Sequence, residues 1–221
     1  MISRRRDVLK SVFFDVGETL LDESRAWTGW ADWLGVSALT MLGLLGATIG
    51  RGEHHLRAFE LVRPGFDLDA ERRARAAAGV PDVLRPEDLY PDALPCLDAL
   101  RERGYVVGVA GNTSAETEVF LRAHCGEALI ASSAGLGAAK PSQQFFAAIA
   151  RLAGLAPAEI AYVGDRVDND VLPALRAGMV AVHIRRGPWG RLQAREPDAA
   201  RATLRIDSLA ELPGALAATS A

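Results

Sequence analysis

Residues 11–21 read SVFFDVGETLL, and this stretch decides the fold. Val12, Phe13 and Phe14 are consecutive apolar residues, as a strand covered on both faces requires. Asp15 follows at once, then Gly17, Glu18 and Thr19. A carboxylate at the carboxyl end of a parallel strand stands where open α/β sheets hold their ligands. On its own the stretch equally fits a polar strand end that opens a turn. The rest of the chain separates the two.

Beyond Tyr90-Pro91 the chain alternates between helical and strand patterns, which predicts an α/β core with a doubly wound, Rossmann-like parallel sheet. Strands are expected over about Asp7–Phe14, Tyr105–Ala110, Ala128–Ser132, Ile160–Val163 and Val180–Ile184, with an edge strand at Thr203–Ile206. Helices are expected over Asp92–Arg103, Ala115–His124, Ser142–Ala153, from near Asn169, and over Asp207–Leu216. Arg185–Gly190 reads as a Pro/Gly turn with a packed tryptophan. From Leu21 to Leu89 the pattern is helical without a strand signal, and it is too long for a simple crossover. The expected organisation is therefore a core of residues 1–20 and 90–221 with a small α-helical cap domain, residues 21–89, inserted into it. Within that insert Trp27, Trp30 and Trp33 recur every three residues as a core stripe, and Gly43, Gly46 and Gly50 are expected to let cap helices approach closely.

A net charge of -3 and a sequence pI near 5.8 give no electrostatic reason for a nucleic-acid partner. The run Arg4-Arg5-Arg6 is short and Asp7 interrupts it. Cys96 and Cys125 form neither a disulfide framework nor a metal spacing. With no apolar signal-peptide core at the N-terminus, a cytoplasmic setting is expected. Trp33–Gly50 is uncharged but rich in glycine, serine and threonine, so a buried helical segment is expected there and no membrane partner.

Three expected strands end in polar residues: Asp15, the turn Gly111-Asn112-Thr113, and Gly164-Asp165. Lys140 precedes Pro141 at a loop-to-helix junction, and Lys10 is the only other lysine among the 25 basic residues. A compact ammonium fits among carboxylates and a phosphate differently from a planar guanidinium. Asp165 and Asp170 lie in GDRVDND and are hard oxygen ligands suited to octahedral Mg2+; Asp168 could cap the next helix instead. A carboxylate attacks an anionic phosphate only when its charge is neutralised. A divalent cation together with a lysine would do that for Asp15.

Taken together, the chain resembles the haloacid dehalogenase superfamily of hydrolases. FFDVGETLL is similar to its first motif, VAGNTS occupies the second, AAKPSQQFF is similar to the third and YVGDRVDNDV to the fourth. The insert resembles the family's first class of helical cap. The resemblance implies that Asp15 is a nucleophile forming an aspartyl-phosphate. It implies that Asp15, the Gly17 carbonyl, Asp165 and Asp170 hold Mg2+. Lys140 would bridge Asp15 and the phosphoryl group, and the Gly111, Asn112 and Thr113 turn would hold phosphate oxygens. The implied substrate is a small phosphorylated metabolite, and the implied assembly a monomer or homodimer.

Two positions depart from the pattern. Gly17 stands where phosphatases of the family carry an aspartate acting as general acid and base, with Glu18 one position away. Gly111 stands where the second motif offers a hydroxyl, which leaves Thr113 or Ser114 to supply one. The resemblance therefore also admits a metal-free 2-haloacid dehalogenase using Asp15 on carbon, or a protein that binds a phosphorylated ligand without turning it over. His54, His55, His124 and His183 read as surface or packing residues.

Overall fold

The computed structural model describes residues 9–220. Asp7 and Val8, where the first strand is expected to begin, lie outside the described residues. Among the described ones the chain divides into two compact units. One is Asp22–Asp88, and the other joins the segment ending at Leu21 to the chain from Leu89 onward.

The helical unit contains α1 (Ser24–Leu34), α2 (Ala38–Gly50), α3 (Arg57–Val62) and α4 (Leu68–Ala77). Its core is aromatic. Trp27 stacks on Phe59 at 5.1 Å, Trp30 meets the same ring edge-on at 5.3 Å, and Phe66 stacks against Phe59 at 4.6 Å. Trp33 is half-buried, its indole donating to Glu71 at 2.6 Å. The uncharged stretch Trp33–Gly50 is not one helix. Gly35 ends α1 in the left-handed region and the Ser37 hydroxyl caps α2 by accepting from the Thr40 amide. The two helices meet at 114°, and among the described residues no single helix is long and apolar enough to cross a membrane. The glycines of α2 do not mediate helix packing. The helix buries Met41, Leu45, Thr48 and Ile49, and side chains added at Gly43, Gly46 or Gly50 would enter open space.

In the second unit six strands form one parallel sheet: β1 (Ser11–Phe14), β2 (Val106–Gly111), β3 (Leu129–Ser132), β4 (Ile160–Gly164), β5 (Val180–Ile184) and β6 (Leu204–Ile206). Their order is β3-β2-β1-β4-β5-β6, with helices on both faces, as expected for a doubly wound core. These helices are α5 (Ala93–Glu102), α6 (Ala115–His124), α7 (Ser133–Leu136), α8 (Gln143–Ala153), α9 (Leu172–Arg176), α10 (Gly187–Gln193) and α11 (Leu212–Ser220). Alternation along β4 aims Ile160 and Tyr162 at one side, where Phe145 and Phe146 of α8 close the core around Phe13. The strand order reverses at β1 and β4, the place where such sheets open a ligand crevice.

Three elements differ from expectation. The stretch from Arg185 is not only a turn, because α10 begins at Gly187. Pro188 occupies its first turn, where a missing N–H breaks no helical bond. Instead of a regular helix from Asn169, a π-turn spans Val167–Val171, its Val171 amide reaching the Arg166 carbonyl at 3.2 Å, and α9 follows. The final helix starts only at Leu212, after a 3-10 turn at Leu209–Glu211. The chain leaves for the helical unit and returns side by side: Leu21 and Leu89 form an antiparallel bridge, and the Tyr90 amide donates to the Leu20 carbonyl at 2.8 Å.

Candidate active site

The register of the sheet gathers the strand-end residues. Phe14 is level with Val109 of β2 and Val163 of β4. Asp15 therefore emerges between those strands, its amide bonded to the Val163 carbonyl at 2.8 Å. The Lys140 ammonium lies 2.6 Å from Asp15 Oδ1 and 2.6 Å from Asp170 Oδ1. It also sits over the Tyr162 ring, 5.6 Å from its centroid. Carboxylate oxygens of Asp15, Asp165 and Asp170 all lie within 4.8 Å of one another, and all three residues are buried. Asp170 is fixed on its other side by the Arg166 amide, which donates to Oδ2 at 2.9 Å. Gly164 permits this approach, because a Cβ there would overlap the Asp170 carboxylate.

The electrostatics are unbalanced. Burial alone pushes the Lys140 ammonium down, but the Asp15 and Asp170 carboxylates outweigh it and hold its pKa well above the ordinary lysine value. The Asp165 carboxyl is also pushed well above its ordinary value, first by burial and then by the Asp170 and Asp15 charges. Its Oδ2 is enclosed without a hydrogen-bond partner. Three buried carboxyl groups face one ammonium, so ionising all three calls for a further positive charge. A hard divalent cation with oxygen ligands would satisfy both the orphaned oxygen and the charge, so the residues present fit Mg2+.

The second motif works differently from its simplest reading. Both ends of the Asn112 side-chain amide are used on the Lys140 backbone: Nδ2 donates to its carbonyl at 2.9 Å and Oδ1 accepts from its amide at 2.7 Å. Asn112 thus positions Lys140. A Cβ at Gly111 would stand 2.6 Å from Asp15 Oδ1, so this arrangement leaves no room for the family's usual hydroxyl. The Ser114 hydroxyl is used as the N-cap of α6, while Thr113 Oγ1 is enclosed without a partner. Glu18 adopts φ 52°, a left-handed conformation uncommon outside glycine, and accepts a 2.7 Å hydrogen bond from Tyr90 Oη. Its carboxylate is committed to that bond and lies against Gly187.

The sequence carries no signal for Gln193, nor for the partners of Asp168 and His183. Gln193 of α10 accepts from the Val167 amide at 2.7 Å and donates to Asp168 at 3.0 Å, which pins the π-turn. Asp168 also pairs with Arg166 and does not cap the helix. His183, level with Gly164 on β5, places Nε2 3.0 Å from the Asp165 carbonyl. The alternation of β5 aims His183 inward, but only the register identifies what it meets.

A parallel sheet whose switch point carries a lysine-bridged aspartate and a carboxylate cluster defines a class of hydrolase. The chain matches the haloacid dehalogenase-like hydrolase model over residues 9–178 and belongs to that family. It is 36% identical over 157 residues to a glyceraldehyde 3-phosphate phosphatase of Methanopyrus kandleri, a match covering 66% of each chain. It thus spans about two thirds of that relative's length. It is 30% identical over 196 residues to a phosphoserine phosphatase of Thermus thermophilus, covering 83% of this chain and 76% of the relative. The solved structure of an L-2-haloacid dehalogenase shares the fold with a TM-score of 0.66 at 18% identity, over 95% of this chain and 99% of that one.

Proposed function

We propose that this protein is a phosphomonoesterase that passes the phosphoryl group of a small phosphorylated metabolite to Asp15 and then to water. The carrying observation is the Lys140 ammonium, 2.6 Å from both Asp15 and Asp170, beside the unpartnered Asp165 carboxylate. A carboxylate oxygen of Asp15 forms a bond to phosphorus, and the bond from phosphorus to the leaving oxygen breaks. Gly17 has no acid to offer, so the leaving oxygen takes its proton from water. A second water then attacks phosphorus, the bond to Asp15 breaks, and inorganic phosphate departs. Lys140, hydrogen-bonded to Asp15, orients it and donates to a phosphoryl oxygen, and Thr113 Oγ1 donates to another. Asp15, Asp165, Asp170 and the Gly17 carbonyl would hold Mg2+, which when bound supplies positive charge against the phosphoryl oxygens. The helical unit Asp22–Asp88 is read as the cap that selects the leaving group. The phosphatase names among the relatives support a small phosphorylated substrate.

Hydrolysis of 4-nitrophenyl phosphate, with Mg2+ and with chelator, tests this in the parent protein and Asp15→Asn. Turnover is expected only with both Mg2+ and Asp15. Turnover that survives Asp15→Asn would overturn the nucleophile. A second reading, halide displacement from a 2-haloacid by Asp15, draws on Gly17, since that chemistry needs no acid at this position. Metal-independent release of halide from 2-chloropropionate, with no phosphate release from any ester, would replace the first reading with the second.

A further inference from the structure

The helical unit contains a recess of about 400 Å³ whose lining includes Arg25, Gly29, Asp32, Arg75, Asp82 and Arg85. Arg75, on α4, is only 6% exposed. Its guanidinium carbon lies 4.2 Å from the centroid of the Trp30 ring, and Nε donates to the Val80 carbonyl at 3.3 Å. Nη1 is enclosed without a hydrogen-bond partner, and among the described residues no carboxylate pairs with this side chain. A ring face and one carbonyl are weak compensation for a guanidinium with five N–H donors removed from water. Arg186, in the other unit, shows the usual solution: it pairs with Asp92 and donates to the Thr19 carbonyl.

We infer that this recess is a binding site for one small oxyanion, a carboxylate or phosphate group, centred on Arg75. Arg25 is already neutralised by Asp88, its Nε 2.6 Å from Oδ1. Arg85 is exposed at the rim and supplies a second positive charge. Gly29 keeps the approach open, since a Cβ there would stand 3.2 Å from Arg75 Nη2. Asp32 and Asp82 bound the ligand: the Trp30 indole donates to Asp82 at 3.3 Å, but both acids would repel an extended polyanion. The site takes a compact anion, and it stands whether or not the phosphatase reading does.

Calorimetry on the full chain in chelator tests the site, with inorganic phosphate and malonate as separate probes and chloride at matched ionic strength as control. Saturable binding of at least one probe is expected, roughly tenfold weaker in Arg75→Met, as loss of a charge-assisted contact dictates. Binding of malonate alone identifies a carboxylate ligand, and binding of phosphate alone a phosphorylated one. Absence of saturable binding, equal heat with chloride, or affinity unchanged in a folded Arg75→Met would each overturn the site. If circular dichroism shows Arg75→Met unfolded, exposed Arg85→Gln replaces it. Weaker binding by roughly threefold or more is then expected, and unchanged affinity overturns the proposal.

Discussion

A lysine and an arginine carry the same charge, but a single nitrogen held 2.6 Å from two different carboxylates is a task for an ammonium. Lys140→Arg is expected to keep the fold and lower kcat for aryl phosphate by roughly 100-fold, because the planar fork cannot place one nitrogen at both oxygens. An Arg variant with parent-like kcat would contradict this account of the site. Gly111 leads to a less intuitive expectation. Restoring the family's usual hydroxyl by Gly111→Ser should reduce activity, since the new Cβ would press on Asp15 Oδ1 from 2.6 Å. Overpacking of this kind costs about 1–3 kcal/mol, to be read as a lower unfolding midpoint in urea. Asp15, Asp165 and Asp170 stand out in the sequence because polar residues at or just beyond the end of an apolar strand are conspicuous, and Lys140 because it is one of only two lysines. The pairing of Asn112 with the Lys140 backbone does not, since it joins residues 28 positions apart through main-chain atoms that carry no sequence signal.

At the scale of elements, the π-turn Val167–Val171 exists in a supported form. Its first amide and the Asp168 carboxylate are both held by the Gln193 side chain from α10. Gln193→Ala should weaken Mg2+ binding at the proposed site, raising the half-saturating Mg2+ concentration for turnover by roughly tenfold with little change in kcat, as loss of a residue that orients ligands does. A change in kcat alone would assign Gln193 a different part. The sequence pattern after β5 reads as a turn because Gly187, Pro188 and Gly190 are breakers in isolation. Their positions decide otherwise: proline is at home in a first helical turn, and Gly187 takes φ 62° just before it. The doubly wound order was legible because each core strand is short, apolar and followed by a helix-length segment. The π-turn was not, because its cause is the burial of Asp170 beneath Gly164.

At the scale of the molecule, separate reporters exist for the two units. Burial pushes the Asp88 carboxyl up, but hydrogen bonds from Arg25 and the Arg85 amide outweigh it and hold the pKa below the ordinary value. A carboxyl depressed by folding contributes stability that is complete above its unfolded pKa, about 3.9, and is lost as pH falls through the folded value. Trp27, Trp30 and Trp33 lie in this unit and Trp189 in the other, so tryptophan fluorescence of Trp189→Phe should show the helical unit's unfolding midpoint fall as pH drops below about 4. Asp88→Asn should lower the midpoint at neutral pH and flatten the acid slope, whereas an unchanged slope would refute the coupling. In the other unit burial pushes the Cys96 thiol up to about 12 and Cys125 to about 11. Both should resist iodoacetamide at pH 8 until the sheet opens, so labelling ahead of sheet unfolding would argue against their burial. The Leu21–Leu89 bridge has a further consequence. Because the two chain ends meet there, everything from residue 22 to 88 is, as far as the strands are concerned, a closed loop of no fixed length. Closure entropy grows only with the logarithm of loop size, so lengthening or shortening that excursion costs the sheet little and shifts none of its registers. That part of the polypeptide can therefore be rebuilt while Asp15 and Asp165 stay at the ends of β1 and β4.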